Sequence, residues 1–387
     1  MAHFLLLVVI YIAFVSLGLP DGVLGVAWPA MRGDLSQPLA AVGLISIVMT
    51  ICGALSALYS GRVVARWGTG VVVMLSGALT GLALLGFSWA PSFGWLLALA
   101  TLLGLGAGAV DTGLNHFVAK HYSSRHMNWL HGFWGVGATA GPFIMGSALA
   151  SSAGWSGGYR TIGLVQLSLA LLLFMALPLW KRESSGTTDT DAEHADQLSG
   201  FKPVNAWAVW LAPLIFRLYV ACEVGTALWA ASILITSRQV DALTAGVWVS
   251  LFFASITAGR FGIGLVANRL GNRRLIRVGL FTALAGATLF AIPVLPSAVS
   301  LMGLMLMGLG CAPVYPSLMH ETAKRFPPLT ARRVIGRQLM FSYAGGSVVP
   351  AAFGVLATYT GLVWVMPVVV VLLIVLLAIT KRLDALT

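Results

Sequence analysis

One acidic residue in an otherwise lipid-soluble segment is the first sign of chemistry in this chain. Asp111 lies in the segment GLGAGAVDTGLN, and on a helix Gly104, Gly108, Asp111 and Asn115 share one stripe. A charged side chain at bilayer depth costs about 2.5 kcal/mol or more, so the acid should face an aqueous cavity or a partner. The alternative is a buried packing residue that is protonated or hydrogen-bonded.

A second acid, Asp21, lies in the first apolar segment between Pro20 and Gly22. Both neighbours loosen a helix, and water or adjacent helices must then satisfy its free backbone groups. Asp21, Gly25 and Trp28 follow helical spacing, which is typical of a cavity wall with an aromatic platform. A simple kink followed by an interfacial tryptophan is the alternative interpretation.

A third acid, Glu223, shares its stripe with Phe216 and Tyr219, which offer a stacking face and a hydroxyl group to a polar ring ligand. An ion pair with Arg217 or Arg260 is an equal alternative, although we expect Arg260 to extend towards the lipid headgroups instead. A carboxyl group in a cavity of low dielectric constant can take up a proton near neutral pH and release it when the cavity opens.

The composition defines the class of protein that surrounds these acids. Of 387 residues, 58% are hydrophobic and 9% are charged, and the mean hydropathy is +0.91. A soluble domain carries about 25% charged residues, so the chain is predicted to be an integral membrane protein built of helices. The formal charge of +11 is spread over short loops, which argues against nucleic-acid binding. The three cysteines lie in apolar segments and predict no disulfide.

The apolar blocks predict twelve spanning helices in two sets of six. The first set covers 4–28, 38–60, 70–90, 93–119, 130–153 and 160–180, and the second covers 205–236, 242–267, 274–293, 297–320, 334–358 and 361–381. A polar segment between them, 181–203, is rich in Ser, Thr, Gly and Asp and is predicted to be a linker. The predicted domains are therefore 1–180, the linker 181–203, and 204–387.

Basic residues predict the orientation. They cluster in the even-numbered loops and the C-terminal tail, whereas the opposite loops hold little beyond Arg32, Arg160 and Arg238. By the positive-inside rule, both termini and the linker are predicted to be cytoplasmic. The short loops are compatible with a bacterial inner membrane.

The two sets of helices also repeat in sequence. Gly61–Gly68 (GRVVARWG) aligns with Gly264–Gly271 (GLVANRLG), and Lys120 aligns with Lys324 at nearly the same offset. Asp21 falls beside Glu223. Repeats of this kind are typical of secondary transporters, which hold the substrate near the midplane between two halves that rock against each other.

The segment GLVANRLGNRR, 264–274, resembles the loop motif of the major facilitator superfamily, although Asn268 and Ala65 stand where that motif has an acid. Five further features resemble its fucose-permease or sugar:proton symporter group: Asp21, DTGLN (111–115), NWLHGFWGVGATAGP (128–142), YVACEVG (219–225) and GCAPVYPSL (310–318).

This resemblance implies an all-α fold of twelve helices in two pseudo-symmetric six-helix bundles, with both termini cytoplasmic. It implies proton-coupled uptake of a monosaccharide by a monomer in membrane lipid, driven by the proton gradient and without a cofactor or metal. The predicted proton-coupling residues are Asp21, Asp111 and Glu223; the predicted substrate-binding residues are Trp28, Asn115, His131, Trp134, Tyr219, Glu223 and Tyr315; the predicted gating loops contain Gly61, Arg62, Arg66, Gly68, Gly264, Asn268, Arg269, Gly271, Arg273 and Arg274.

Two other functions remain open at this stage. Gly137, Gly141 and Pro142 resemble a motif of proton-coupled drug exporters, although close helix packing explains them equally well. A membrane enzyme or receptor is disfavoured because the sequence has no nucleophile elbow, no His-Glu metal pair, no nucleotide-binding glycine loop and no predicted soluble domain.

Overall fold

The computed structural model describes residues 2–122, 124–181 and 205–387, so the predicted linker lies almost entirely outside the described residues. Every described element is a helix. The helices are α1 Ala2–Gly18, α2 Val23–Asp34, α3 Val42–Trp67, α4 Thr69–Ser88, α5 Phe93–His121, α6 Ser124–Leu149, α7 Gly154–Met175, α8 Leu177–Lys181, α9 Ala206–Ser232, α10 Ala242–Leu270, α11 Asn272–Ala291, α12 Ser297–Cys311, α13 Val314–Arg325, α14 Pro328–Thr360 and α15 Val365–Leu386.

The helices confirm an integral membrane protein. Eleven described segments are long and apolar enough to cross a membrane. The remaining predicted span corresponds to α6, which has 26 residues and packs against α1 and α10. Helix boundaries differ most in α3, which ends at Trp67 rather than 60. α14 begins at Pro328 rather than 334 because Pro328 can occupy the first turn of a helix.

The first predicted helix is two helices. α1 ends at Gly18 and α2 begins at Val23, and between them Gly22 adopts a φ angle of 74°. A side chain at Gly22 would also collide with Phe253 of α10, since a Cβ atom there would lie 2.6 Å from the phenylalanine ring. Glycine therefore allows both the turn and the close approach, and the turn places Asp21 at the break.

Many helix contacts lie within the first part of the chain, α1–α8, or within the second part, α9–α15. α4 packs on α5 and α7, and α3 packs on α5; in the later part α9 packs on α14 and α15, and α11 packs on α12. The most extensive contacts between the two parts are those of α6 with α10, α3 with α14, and α2 with α9.

Glycines bring the two parts close together. A Cβ atom at Gly246 of α10 would lie 2.7 Å from the Cα atom of Gly146 in α6, and one at Gly43 of α3 would lie 2.7 Å from the Ala351 Cβ atom of α14. These contacts lie far from the end of the molecule at which the chain passes from α3 to α4, from α10 to α11 and from α13 to α14. We call that end the basic end.

The predicted sequence repeat has a counterpart in the backbone. Gly68, directly after α3, has φ 80° and ψ 153°, and Gly271, directly after α10, has φ 76° and ψ 146°. A new helix starts directly after each glycine. The repeated glycine is therefore explained by a tight helix-to-helix turn with positive φ.

Candidate functional site

A connected set of polar and aromatic side chains begins at the break after α1 and continues through α6 and α10 to α9. It consists of Asp21, Trp134, Arg260, Glu223 and Tyr219, which we call the central array. The array crosses from the first part of the chain, α1–α8, to the second part, α9–α15. Any relative movement of these two parts must change its contacts.

Trp134 is held on three sides. Its indole N–H donates to Asp21 Oδ2 at 2.8 Å, and the Arg260 guanidinium lies over its ring, 4.9 Å from the centroid. The Phe253 ring meets it edge to face at 6.1 Å. The predicted site residues Asp21 and Trp134 are thus brought together, and the acid has an N–H donor rather than lipid beside it.

Arg260 is the cation of the array, and our expectation that it extends to the headgroups is wrong. Its Nη2 atom lies 3.8 Å from Glu223 Oε1, and both side chains are about 11% exposed. The Nε atom is buried and has no hydrogen-bond partner in the described part of the chain. Of the two ion pairs considered for Glu223, the one with Arg260 forms.

Glu223 also binds the hydroxyl group of Tyr219, which lies one helical turn earlier in α9. The same hydroxyl is 3.0 Å from the Cys311 carbonyl oxygen at the break between α12 and α13. After that break, the Tyr315 ring packs against Phe216 with centroids 4.8 Å apart. α9 and α13 therefore supply an acid, hydroxyl groups and aromatic faces at one place.

Asp111 belongs to the same region but is bonded within its own helix. Asn115 Nδ2 donates to Asp111 Oδ1 at 2.9 Å, and both residues are half-buried. The hydroxyl groups of Tyr315 and Tyr343, on α13 and α14, lie within electrostatic range of the Asp111 carboxyl group. The glycine part of the predicted stripe packs instead, since Gly104 and Gly108 lie directly against the α3 backbone.

Two predicted binding residues have different outcomes. His131 is half-buried, meets the Phe14 ring edge to face at 5.6 Å, and lies within electrostatic range of Arg260. Trp28 does not line a cavity wall: it is 1% exposed and donates to the Leu39 carbonyl oxygen at 2.9 Å. The prediction for Trp28 assumed one continuous helix, and the break before Val23 rotates α2 into the core.

The predicted gating loops differ from each other. In the first, Gly61, Arg62, Arg66 and Gly68 are exposed, and Arg62 lies over the Tyr59 ring at 5.7 Å. In the second, Arg273 Nε lies 2.6 Å from Glu321 Oε1. The side chains of Gly264, Asn268 and Arg269 lie outside the described residues, whereas Gly271 and Arg274 are described.

Sequence reasoning missed several residues of this region. Phe253 was not singled out, because an aromatic residue in an apolar helix carries no signal of its own. Tyr343 was missed for the same reason. Gln166 gave a weak signal that could have been used, since it is an uncharged polar residue within an apolar span.

The comparison with protein families gives one match over nearly the whole chain. The family described as Major Facilitator Superfamily matches residues 10–350 and, in a second overlapping alignment, 224–385.

Curated relatives are transporters. The chain is 25% identical over 340 residues to an uncharacterized MFS-type transporter of Yersinia pestis, covering 86% of this chain and 84% of that protein. Two shorter matches are each 28% identical: a niacin transporter of Acinetobacter baylyi, over 35% of this chain and 32% of that protein, and a 4-hydroxybenzoate transporter of Pseudomonas aeruginosa, over 42% and 37%.

Among solved structures, a nucleoside transporter aligns with a TM-score of 0.77 at 13% identity, over 99% of this chain and 100% of that one. At this identity the likeness is one of fold.

Proposed function

Because the chain belongs to the Major Facilitator Superfamily, we propose that it is a proton-coupled symporter in which the central array binds a small ring-shaped solute. Transporters of this superfamily are not enzymes and need no cofactor. In this proposal 1–180 and 204–387 form two pseudo-symmetric six-helix bundles that rock about the array, joined by the linker 181–203. The basic end, the linker and both termini face the cytoplasm of a bacterial inner membrane.

One observation carries the substrate class. The Arg260 side chain is about 11% exposed and lies over the Trp134 ring. Its Nε atom has no partner among the described residues, and its Nη2 atom is 3.8 Å from Glu223, beyond hydrogen-bonding distance. A guanidinium group with free donors matches the two oxygens of a carboxylate. We therefore infer a small aromatic carboxylate as the first candidate solute.

The array supports a simple coupling cycle for such a solute. When Glu223 is ionised, it holds Arg260 and competes with an incoming carboxylate. When Glu223 takes up a proton, Arg260 is released to bind the solute, so that one proton and one anion enter together. Asp21 couples this exchange to the first bundle, because Trp134 contacts both Asp21 and Arg260.

The relatives are compatible with this class. Niacin and 4-hydroxybenzoate, named for two of the relatives, are both aromatic carboxylic acids. Those matches cover less than half of this chain, so the geometry of Arg260 is the main argument.

A monosaccharide, as implied by the resemblance to sugar:proton symporters, is the second candidate. Tyr219, Asn115 and His131 offer the hydrogen bonds that a sugar needs. Arg260 already lies over one face of the Trp134 ring, however, so less of this ring is open for stacking on a sugar. We therefore rank the monosaccharide below the carboxylate.

Drug export has less support. The glycines that suggested it are used for packing, since Gly137 lies against the Val15 carbonyl oxygen and Gly141 against that of Leu19. Both glycines bring α6 close to the end of α1.

The test is proton uptake into proteoliposomes with an internal pH dye, on addition of nicotinate, 4-hydroxybenzoate or a panel of monosaccharides. We compare the wild type with Arg260→Gln/Glu223→Gln, which removes both charges and leaves no unpaired ion. Arg337→Gln is the matched control, because Arg337 also lies over a tryptophan, Trp210, at 4.4 Å.

We expect a carboxylate to acidify wild-type and control vesicles, and the double variant to lose this uptake by about 100-fold or more. Acidification by a sugar that persists in the double variant would replace the carboxylate with the second candidate. Acidification by no solute in the panel would contradict proton-coupled symport of either class.

A further inference from the structure

A small, partly open cavity lies in the first part of the molecule, beside the central array. Its volume is about 40 Å³, and a water molecule needs about 10–15 Å³ on this measure. Helices α1, α3, α4, α5 and α7 surround it, and its polar lining consists of Ser16, Asp21, Thr80 and Gln166. The space suits about three water molecules.

One polar group of a wall residue has no partner among the described residues. Gln166 is 2% exposed, and its Nε2 atom donates to Thr80 Oγ1 at 2.8 Å. The Thr80 hydroxyl group donates its own hydrogen bond to the Gly77 carbonyl oxygen at 3.0 Å. The Gln166 Oε1 atom is left buried without a donor, and a buried acceptor of this kind is costly unless water reaches it.

Asp21 stands between this cavity and the central array. Its Oδ2 atom accepts the Trp134 N–H on the array side, and the same residue forms part of the cavity wall. Trp134 is the only donor to the Asp21 carboxyl group among the described residues, so one carboxyl oxygen remains for the cavity. Asp21 is also the only charged residue among those described in the lining.

We propose that this cavity holds two or three water molecules that join the Asp21 carboxyl group to Gln166 Oε1, and that Gln166 is thereby a positioning residue for proton exchange at Asp21. The inference rests on the proposed proton coupling. With Asp21 ionised, a water donates one hydrogen to its carboxylate and one to Gln166. With Asp21 protonated, the carboxyl O–H donates to that water, which still donates to Gln166.

The other titratable groups that act on Asp21 lie on the array side. Asp111 of α5 and Glu223 of α9 are within electrostatic range, and Arg260 of α10 lies over the Trp134 ring whose N–H donates to Asp21. The described lining residues of α3, α4 and α7 are uncharged. The waters therefore act on Asp21 from a side where no other charge competes.

The test is infrared spectroscopy of the purified protein in lipid, which follows the band of the protonated carboxyl group against pH. Asp21→Asn identifies the band. Gln166→Leu removes the acceptor at nearly constant volume. Gly77→Ala places a methyl group in the cavity wall without a clash, since its Cβ atom would lie 3.6 Å from Ala170 and 3.7 Å from Leu173.

The chain supplies a matched control in Gln338. Gln338 is fully buried, donates to Thr322 Oγ1 at 2.9 Å, and also has an unpartnered Oε1 atom. It lies on α14, and it is not part of the wall of this cavity. Gln338→Leu therefore reproduces the loss of a buried Gln–Thr pair without touching the Asp21 waters.

We expect Gln166→Leu and Gly77→Ala to move the midpoint of the Asp21 band to higher pH, by about one unit for Gln166→Leu, because the ionised carboxylate loses a hydrogen bond. Gln338→Leu should leave the midpoint unchanged. An unchanged midpoint in Gln166→Leu, or an equal shift in Gln338→Leu, overturns the proposal. If Gln166→Leu does not fold, the midpoint of Gly77→Ala decides in the same way.

No solute enters this measurement. A normal Asp21 titration with no transport of any solute would contradict the proposed function and leave the water cluster standing.

Discussion

Equivalent positions at the basic end are held together by different forces in the two parts of the chain. Glu321, Arg325 and Asp384 form an ion-pair cluster at the ends of α13 and α15. The residues that precede them by 204 positions are Phe117, His121 and Trp180. These form an aromatic cluster at the ends of α5 and α8.

The ion-pair cluster connects three helices through charge. Arg325 is nearly buried and pairs with Asp384 and with Glu321, whose Oε1 atom is 3.5 Å from Arg325 Nε. Arg273, two residues after the turn at Gly271, reaches the same Glu321 oxygen at 2.6 Å. The start of α11 is therefore tied to the ends of α13 and α15.

The aromatic cluster makes the corresponding connection by packing. The Phe117 and His121 rings stack with centroids 4.3 Å apart, and the Trp180 ring meets Phe117 edge to face at 4.9 Å. Gly70, two residues after the turn at Gly68, lies against Trp180, because a Cβ atom there would be 2.5 Å from its Cγ atom. Gly70 occupies the position that corresponds to Arg273, and its lack of a side chain lets the indole ring approach the start of α4.

The comparison teaches that the repeat preserves which helices are joined and where, but leaves the means of joining free. Backbone turns at Gly68 and Gly271 have nearly the same dihedral angles. The side chains around them differ: they are packed aromatic rings in the first part and ion pairs in the second. The two clusters should therefore respond differently to mutation, salt and pH.

The largest effect is expected for Trp180→Ala in the aromatic cluster. Trp180 is 6% exposed, and truncating a buried aromatic side chain typically costs about 3–5 kcal/mol. We expect a loss of about 3 kcal/mol in the free energy of unfolding, measured in mixed detergent micelles. Trp207→Ala is the control, because Trp207 is 73% exposed; equal losses in the two variants would mean that the cluster adds nothing.

A smaller loss is expected for Glu321→Gln in the ion-pair cluster. Removing one member of a buried ion pair typically costs about 3–5 kcal/mol. Arg325 keeps Asp384 as a partner, and Arg273 is partly exposed to water, so we expect about 2 kcal/mol. Lys324→Gln, at an exposed neighbouring position, should change stability by less than about 0.5 kcal/mol. Indistinguishable unfolding of these two variants would show that the cluster is not a stabilising contact.

The parts of this arrangement that lie close together in sequence could be predicted. An acid in an apolar segment was enough to identify Asp111 and Glu223 as polar positions within helices, and Asp21 as one at a helix break. The repeated glycines at Gly68 and Gly271 were enough to place the two turns. In each case the signal is local, because it depends on one residue and its immediate neighbours.

The parts that depend on tertiary contacts could not be predicted. The position of Arg260 depends on Glu223 and Trp134, which lie on other helices, so the sequence left its side chain free to extend to the headgroups. The role of Trp28 was wrong because the helical spacing runs across a break. The ion pair between Glu321 and Arg273 joins separate helices, and only the structure shows which acid serves the loop.

Salt should change the stability contributed by the ion-pair cluster but not that of the aromatic cluster. The change should be below about 1 kcal/mol, because partly buried pairs are only partly screened. Raising the salt concentration from about 0.05 M to about 0.5 M should reduce the stability difference between wild type and Glu321→Gln. The difference between wild type and Trp180→Ala should stay constant, since packing does not depend on ionic strength. Equal salt responses of the two differences would contradict the assignment of charge to one cluster and packing to the other.

The smallest effect concerns the opposite ends of the two helices that precede these turns. α10 begins at an N-cap, where Asp241 Oδ1 accepts the backbone N–H of Thr244 at 2.9 Å, whereas α3 has Ala41 at that position and no side-chain cap. The Thr244 N–H lowers the pKa of Asp241 below its ordinary value of 3.8. A carboxyl group with a lowered pKa stabilises the folded state above its unfolded pKa, and this contribution is lost as the pH falls through the folded pKa.

Asp241→Asn keeps a good cap but removes its charge. We therefore expect wild type and variant to have similar melting temperatures when both are uncharged at this position, well below pH 3.8, and the wild type to be slightly more stable above it. Thermal unfolding of both proteins across this range measures the difference. A difference that does not change with pH would mean that the charge of Asp241 is not what distinguishes the start of α10 from that of α3.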